Sequence, residues 1–476
     1  MRHYKRRLFF PALLWGWLLL PALALADLPA PVARALRAGG LPPDSAAVFV
    51  QQVDKPRPLI SHHAEQAVSP ASTMKLVTTY AALGVLGPAY TWRTEIYSAA
   101  PQQGDVLNGD LILKGYGDPA LTLENFWDLL RALRKSGVRE IKGDLVLDRG
   151  YFDTAPHDPG QFDGEPYRAY NAGPDALLVN FKATRFTFRG DVQQSKVAIA
   201  TDPELPQLKV INQIELRQVP CADWKDRLGY RVQREGESVT VVFSGNYSVA
   251  CGEKSLDLSL FDDAVYVHQL FRQLWQEQGG IFRGALKLGT VPEGAKRLAQ
   301  ANSPPLADVI RLVNKYSNNV MARQLLLTMG AESGIAPGSA ENGGKAVRDW
   351  LAKQGLDFPE LVIENGAGLS RNERISARHL GELLLAAWRS PVMPELMSSL
   401  PLAAVDGTLE HRLNGSAVAG QAHVKTGSLE GARAIAGYLL DAKGRRWAVV
   451  FVVNHPRAAA AGAAQDALLE WLHDRQ

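Results

Sequence analysis

Cysteine is nearly absent from this chain, with two residues, Cys221 and Cys251, among 476. So few thiols argue against a thiolate metal site, and the ten histidines form no His-Glu-x-x-His pair. No metal and no organic cofactor is expected. An excess of one charge is missing too. The formal net charge of +3 rests on a basic head, Arg2, Lys5, Arg6 and Arg7; without those four it falls to about −1. That balance leaves no footprint for nucleic acid. Low-complexity tracts are absent, and 46% hydrophobic with 21% charged residues is ordinary for a soluble globular protein. The length suits two or three domains with ample core.

What is present begins with the N-terminus. After the basic head, residues 8–25 are apolar, interrupted by Pro11 and Pro21, and end in Ala24-Leu25-Ala26, an A-x-A cleavage pattern. No cysteine lies near that point, which excludes a lipid-anchored lipoprotein. The expectation is a signal peptide over 1–26 and an exported chain from Asp27, with no stable transmembrane segment after leader removal. In an exported chain a single cysteine pair reads as a disulfide, Cys221 to Cys251. Closing a loop of about 30 residues contributes roughly 3.5 kcal/mol in the chain-entropy model. Two buried free thiols are the alternative.

Periodicity predicts a short helix over 32–37, strands over 46–53 and 59–62, and a helix from Ser72 closed by Gly84 and Gly87-Pro88. After residue 94 the texture changes to a glycine-punctuated hairpin region with a strand at 111–113, a helix over 123–135 and a strand at 144–148. Short β segments then follow at 185–189, 196–201, 208–216 and 238–244, and a helix over 262–278. From residue 298 helical faces resume, at 306–313, 320–329, 347–351 and 380–388. Strands at 424–428, 434–440 and 447–454 and an alanine-rich helix over 458–473 end the chain. The last two strands are nearly continuous apolar runs, typical of a buried sheet. Strands from both ends of the chain are expected to share one sheet, with the middle as a large insertion.

Three short motifs carry chemistry: Ser72-Thr73-Met74-Lys75, Ser317-Asn318-Asn319 and Lys425-Thr426-Gly427-Ser428. No other serine has lysine three residues on, and Lys-Thr-Gly occurs once. Acyl transfer needs a nucleophile with a base in hydrogen-bond reach. Ser72 supplies the first. Lys75 supplies the second when burial and the like charge of Lys425 disfavour its ammonium form. Ser317 can relay a proton to a leaving amine, and Asn319 can hold a substrate amide and orient Lys75. Lys425, Thr426 and Ser428 suit a terminal carboxylate. Gly427 lets substrate backbone lie against a strand edge. The N–H groups of Ser72 and Ser428 would form an oxyanion hole.

This ordered set, with Ser-Asp-Asn as the usual middle member, marks penicillin-binding proteins and class A β-lactamases. The chain resembles the class C low-molecular-mass penicillin-binding proteins, the D-alanyl-D-alanine carboxypeptidase/endopeptidase family typified by penicillin-binding protein 4. Gly115-Tyr116-Gly117-Asp118-Pro119, Gly143-Asp144-Leu145-Val146-Leu147-Asp148, Ser303-Pro304-Pro305-Leu306, the stretch from Glu364 to Arg371, and Asp406-Gly407-Thr408-Leu409 also resemble family stretches. The resemblance implies an α/β (α+β) transpeptidase domain, an antiparallel sheet flanked by helices, with two smaller inserted domains, one nested in the other. The expected division is 27–95 and 296–476 for the catalytic domain, 96–173 and 253–295 for the inserted domain, and 174–252 for the nested β-rich domain. It implies a penicillin-sensitive periplasmic serine DD-peptidase acting on peptidoglycan stem peptides, with β-lactam antibiotics as covalent inhibitors.

In such relatives an aspartate and an arginine bind the free end of a diaminopimelate side chain. By motif these fall on Asp148 and Arg371. The structural alternatives are a strand-end cap for Asp148 and a loop salt bridge for Arg371. Glu430 stands where relatives carry glutamine. Two other functions compete. A β-lactamase would need a deacylating group, and Glu410 and Asn414 have the spacing of the class A pair. A non-catalytic peptidoglycan-binding scaffold would show a degenerate site, and every hydroxyl and amine the mechanism needs is present here.

Overall fold

The structure, a computed structural model, describes residues 28–154, 157–334 and 336–475. The expected leader, 1–26, lies outside them. Among the described residues no helix is long and apolar enough to cross a membrane.

Strands from the two ends of the chain build one antiparallel sheet. Its order is Ile60–His62, Ala46–Gln52, Arg446–Asn454, Ala432–Leu440, Ala422–Leu429. Side chains alternate between faces along each strand, and both faces here are covered. Phe49, Val450, Val452, Ala434 and Ala436 join one core with the helices Met74–Val85, Leu306–Lys315, Asn319–Glu332 and Ala377–Trp388. Val48, Val449, Phe451 and Ile435 join a second core under the terminal helices Ala30–Ala38 and Gly462–His473. Two covered faces explain the uninterrupted apolar runs of the central strands. Burying each such side chain stabilises the fold by roughly 1.5–3 kcal/mol.

The helix Met74–Val85 is buried from Met74 through Leu83, so it runs inside the core rather than over it. It ends at Val85, between Gly84 and Gly87. A Cβ on Gly84 would lie 2.1 Å from the Trp350 ring, so this glycine admits the indole against the helix, and the turn comes at Gly87, φ +85°.

Between residues 93 and 302 the chain forms a separate set of sheets. Arg93–Ser98 pairs antiparallel with Lys296–Asn302, so the outgoing and returning segments run side by side. They belong to a five-stranded mixed sheet with Leu111–Gly115, Leu145–Asp148 and Leu286–Leu288. Its core is shared with the helices Leu123–Lys135 and Asp263–Glu277 and with two three-stranded sheets. In those sheets Phe186, Phe188 and Phe243 pack edge to face, with ring centres 5.0 and 5.1 Å apart. Cys221 and Cys251 form a disulfide, and no described cysteine is free. Two strands there, Leu228–Glu235 and Glu253–Leu258, escape the sequence pattern because both are sheet edges with much of their side-chain surface exposed.

Candidate active site

Ser72 lies on a single 3-10 turn, Ala71–Thr73, that leads into the buried helix. The turn is tight: Ala71 has φ +46°, and the Thr73 hydroxyl donates to the Pro70 carbonyl at 2.7 Å. Two glycines make room for it. A Cβ on Gly368 would stand 1.9 Å from the Ala71 oxygen, and one on Gly427 would stand 2.9 Å from the Pro70 oxygen and 3.0 Å from the Ser72 nitrogen. Gly427 is therefore needed for the serine turn itself, and not solely for an incoming substrate.

Lys75, on the first turn of the helix and 0% exposed, places its Nζ 3.0 Å from Ser72 Oγ. It donates to Asn319 Oδ1 at 2.7 Å and to the Ala367 carbonyl. Burial pushes the Lys75 amine well below its ordinary value, the positive charges of Lys425 and Arg323 push it further, and Glu373 opposes them. Lys425, on the edge strand and also 0% exposed, donates to Ser317 Oγ at 2.9 Å and to its neighbour's carbonyl, Thr426 O, at 2.7 Å. Burial brings it down to about 7.

The middle motif is a break between two helices. Ser317 takes φ +57°, and Asn318 caps the next helix by accepting the Met321 N–H at 3.0 Å. Asn319 then opens that helix with its side chain on Lys75. Lys315 pins the break from below, donating to the Leu400 carbonyl at 3.0 Å and to Asp406 at 2.5 Å. Thr426 Oγ1 is 2.7 Å from Thr408 Oγ1, and Arg433 on the neighbouring strand donates to Ser428 Oγ at 2.6 Å. Thr408 belongs to the Asp406–Leu409 stretch noted in the sequence, whereas Arg433 carries no signal there beyond its nearness to the third motif.

These groups open onto a cleft of about 510 Å³, lined by Ser72, Ser317, Asn319 and Ser428. Phe162, Asp163, Tyr170, Arg371 and Glu430 line it too. Arg371 lies over the Phe162 ring, 4.7 Å from its centre, and donates to the Glu430 carbonyl at 3.0 Å and carboxylate at 3.2 Å. The Asp163 carboxylate accepts from Tyr170 Oη at 2.9 Å, Asn171 Nδ2 at 2.8 Å and the Glu165 N–H at 3.0 Å. The loop bearing it is held on the Asn319–Glu332 helix, where Gln324 exchanges two hydrogen bonds with Asp175 and Arg323 donates to the Ala172 carbonyl at 2.8 Å.

Asp148 does not line this cleft. It is 3% exposed, ion-paired to Lys114 at 3.3 Å, and accepts the Val291 and Gly150 N–H groups. Lys114 is its register partner on the adjacent strand, so its carboxylate serves the inserted sheet. The aspartate that lines the cleft is Asp163. The signal that could have found it is the long stretch 149–183, rich in glycine, proline and aspartate, because a loop of that length in a compact fold is commonly functional. Glu410 and Asn414 are both exposed and do not line the cleft.

The profile of the D-Ala-D-Ala carboxypeptidase 3 (S13) family matches residues 28–475. The chain is 31% identical over 423 residues to a D-alanyl-D-alanine carboxypeptidase of Actinomadura sp. (strain R39), covering 86% of this chain and 78% of that protein. It is 26% identical over 426 residues to the D-alanyl-D-alanine carboxypeptidase DacB of Haemophilus influenzae, 87% and 86% of the two chains. In fold it is similar to penicillin-binding protein 4 from Haemophilus influenzae, with a TM-score of 0.75 at 24% identity over 92% of this chain and 99% of that one.

Proposed function

The chain belongs to the D-Ala-D-Ala carboxypeptidase 3 (S13) family of serine-type carboxypeptidases, and from that premise we propose how its cleft works. It hydrolyses D-Ala-D-Ala bonds, and D-alanyl bonds to diaminopimelate in crosslinks, of peptidoglycan stem peptides. The observation that carries the reading is the pair Ser72 Oγ and Lys75 Nζ, 3.0 Å apart, with the amine fully buried beside a second lysine.

Neutral Lys75 takes the Ser72 proton as Oγ bonds to the carbonyl carbon of the penultimate D-alanine. Charge develops on the carbonyl oxygen, where the backbone N–H groups of Ser72 and Ser428 receive it. As the C–N bond breaks, the departing amine takes the Ser317 hydroxyl proton, and Ser317 is refilled with the proton that Lys75 took from Ser72, so Lys75 is neutral again. The product is a Ser72 ester. Water gives a proton to Lys75 as it attacks that ester, and Lys75 passes the proton to Ser72 Oγ as the ester C–O bond breaks, which regenerates the hydroxyl. Lys425, Thr426 and Thr408 face the substrate's terminal carboxylate. A β-lactam presents the same acyl group and carboxylate but keeps its leaving amine tethered, so it stays as a long-lived adduct on Ser72.

In the same cleft, Asp163 offers a carboxylate and Arg371 a guanidinium, a fit for the amine and carboxylate at the free end of a diamino-acid side chain. The A-x-A leader supports export, and a peptidoglycan substrate supports the periplasm as its destination. The separate cores support a catalytic unit from 27–95 and 296–476 distinct from the insertion. Within the insertion, the two three-stranded sheets support a nested β-rich part over about 174–252, which shares one core with the inserted unit of 96–173 and 253–295. The test is D-alanine release from a muramyl-type pentapeptide. The wild type is expected to release it and Ser72→Ala to release none; equal release by both would refute the mechanism.

A further inference from the structure

Behind Lys75 lies a carboxylate that the acyl-transfer steps do not use. Glu373, 1% exposed, accepts four backbone N–H groups: Glu364 at 3.1 Å, Asn365 at 2.9 Å and Gly366 at 2.8 Å on Oε1, and Gly368 at 2.8 Å on Oε2. A buried backbone donor without a partner is destabilising, and this short loop has no sheet neighbour to supply one. Glu373 stands in for a strand. The residue its four bonds surround is Ala367, flanked by left-handed Gly366 and Gly368 at φ +68° and +78°. The Ala367 carbonyl accepts from Lys75 Nζ, and the Gly366 carbonyl accepts from Thr78 Oγ1, further along the same helix, at 2.6 Å.

A neutral lysine has two N–H donors and one lone pair. With Asn319 Oδ1 and the Ala367 carbonyl taking the two donors, the lone pair is turned onto Ser72. The direction of one loop carbonyl therefore decides whether the base is aimed. We propose that Glu373 is a positioning residue for acyl transfer: by gathering the N–H groups of the 364–368 loop it fixes the Ala367 carbonyl on Lys75, and it sets a carboxylate near that buried amine. This rests on the reading of Ser72 as nucleophile and Lys75 as base.

The charges bearing on Lys75 come from three elements. Lys425 on the edge strand and Arg323 on the Asn319–Glu332 helix disfavour its ammonium, while Glu373 favours it. Burial pushes the Glu373 carboxyl up, and its four N–H bonds hold it down against that push. Removing this anion leaves Lys75 among cations, so Lys75 loses its proton at lower pH. Glu373→Gln has two effects that a loss of packing alone does not combine. The acid limb of the acylation rate moves to lower pH by roughly one unit, and the plateau falls by about tenfold as the amine loses its aim. Glu373→Asp keeps the charge, so its limb stays at the wild-type position.

The experiment is the rate of covalent capture of a fluorescent penicillin against pH, on the full exported chain, with thermal melts of every variant. A displaced limb in Glu373→Gln together with an undisplaced one in Glu373→Asp is the expected result. A Glu373→Gln profile at the wild-type midpoint, whether or not lowered uniformly, overturns the proposal. Should Glu373→Gln fail to fold, Arg323→Gln removes a cation from the same group and must move the limb to higher pH; an unmoved limb there also overturns it. A wild type that captures no penicillin at any pH refutes the acyl-transfer reading itself and the inference with it, a result distinct from a labelled wild type whose limb ignores Glu373.

Discussion

Arg371 is held by Glu430 across the mouth of the cleft, its guanidinium on both the backbone carbonyl at 3.0 Å and the carboxylate at 3.2 Å. A substrate carboxylate that seeks Arg371 must compete with a protein carboxylate already there. Glu430 is mostly exposed, so the contest is winnable and screened by salt. Glu430→Gln removes the competitor. The KM for a peptide with diaminopimelate at its third position should fall by about three- to tenfold, while a peptide with alanine there is unaffected. Steady-state kinetics on the two peptides checks this; an unchanged ratio between them would show that Glu430 does not guard Arg371.

Asp148 and Asp163 make opposite predictions. Asp163 lines the cleft and Asp148 is ion-paired within the inserted sheet. Asp163→Asn should raise KM for the diaminopimelate peptide by roughly tenfold with little change in melting temperature. Asp148→Asn leaves Lys114 without its partner and should lower the melting temperature, with KM unchanged. If Asp148→Asn raised KM and Asp163→Asn did not, the carboxylate that receives the side-chain amine would be Asp148.

The pH profile follows from the two buried lysines. Lys75 acts as base only when neutral, and burial, Lys425 and Arg323 hold its pKa well below the ordinary lysine value. Its contribution to acylation therefore appears as pH rises and is lost on the acid side. Lys425 attracts a carboxylate only as the ammonium, and burial brings it to about 7, so its contribution is lost as pH rises through that region. For carboxylate-terminated peptides kcat/KM should be bell-shaped, its two limbs belonging to the coupled pair. An acyl ester without the terminal carboxylate should keep the acid limb and lose the alkaline one. Identical alkaline limbs for both substrates would exclude Lys425 as the carboxylate's partner.

How much of this was legible in the sequence depended on the distance over which each residue acts. Ser72 and Lys75 sit one turn apart, and Lys425 to Ser428 lie along a single strand. Local spacing carries such information, and fixed order ties the motifs together. Asp163 reaches the cleft through a loop whose path is set by Gln324, Arg323 and Asp175, contacts that leave no periodic trace. Asp148 lies outside the cleft for a related reason. The strand that ends in it is plain to read, but Lys114 becomes its neighbour solely through the parallel pairing of two strands. Gly84 has a packing role that the sequence does not show, since Trp350 occupies the space a side chain would need. Glu373 is one charged residue among many in the sequence; its importance lies in four backbone groups that converge once the loop has folded.

The central claim is that Ser72 is acylated with Lys75 as its base. The most direct measurement is mass spectrometry of the protein after brief exposure to penicillin, with the modified peptide sequenced. The account predicts a single added penicilloyl group on Ser72, absent in Ser72→Ala and formed at least about a thousandfold more slowly in Lys75→Ala. An adduct on another residue, or one that forms on Ser72 at an undiminished rate without Lys75, would contradict it.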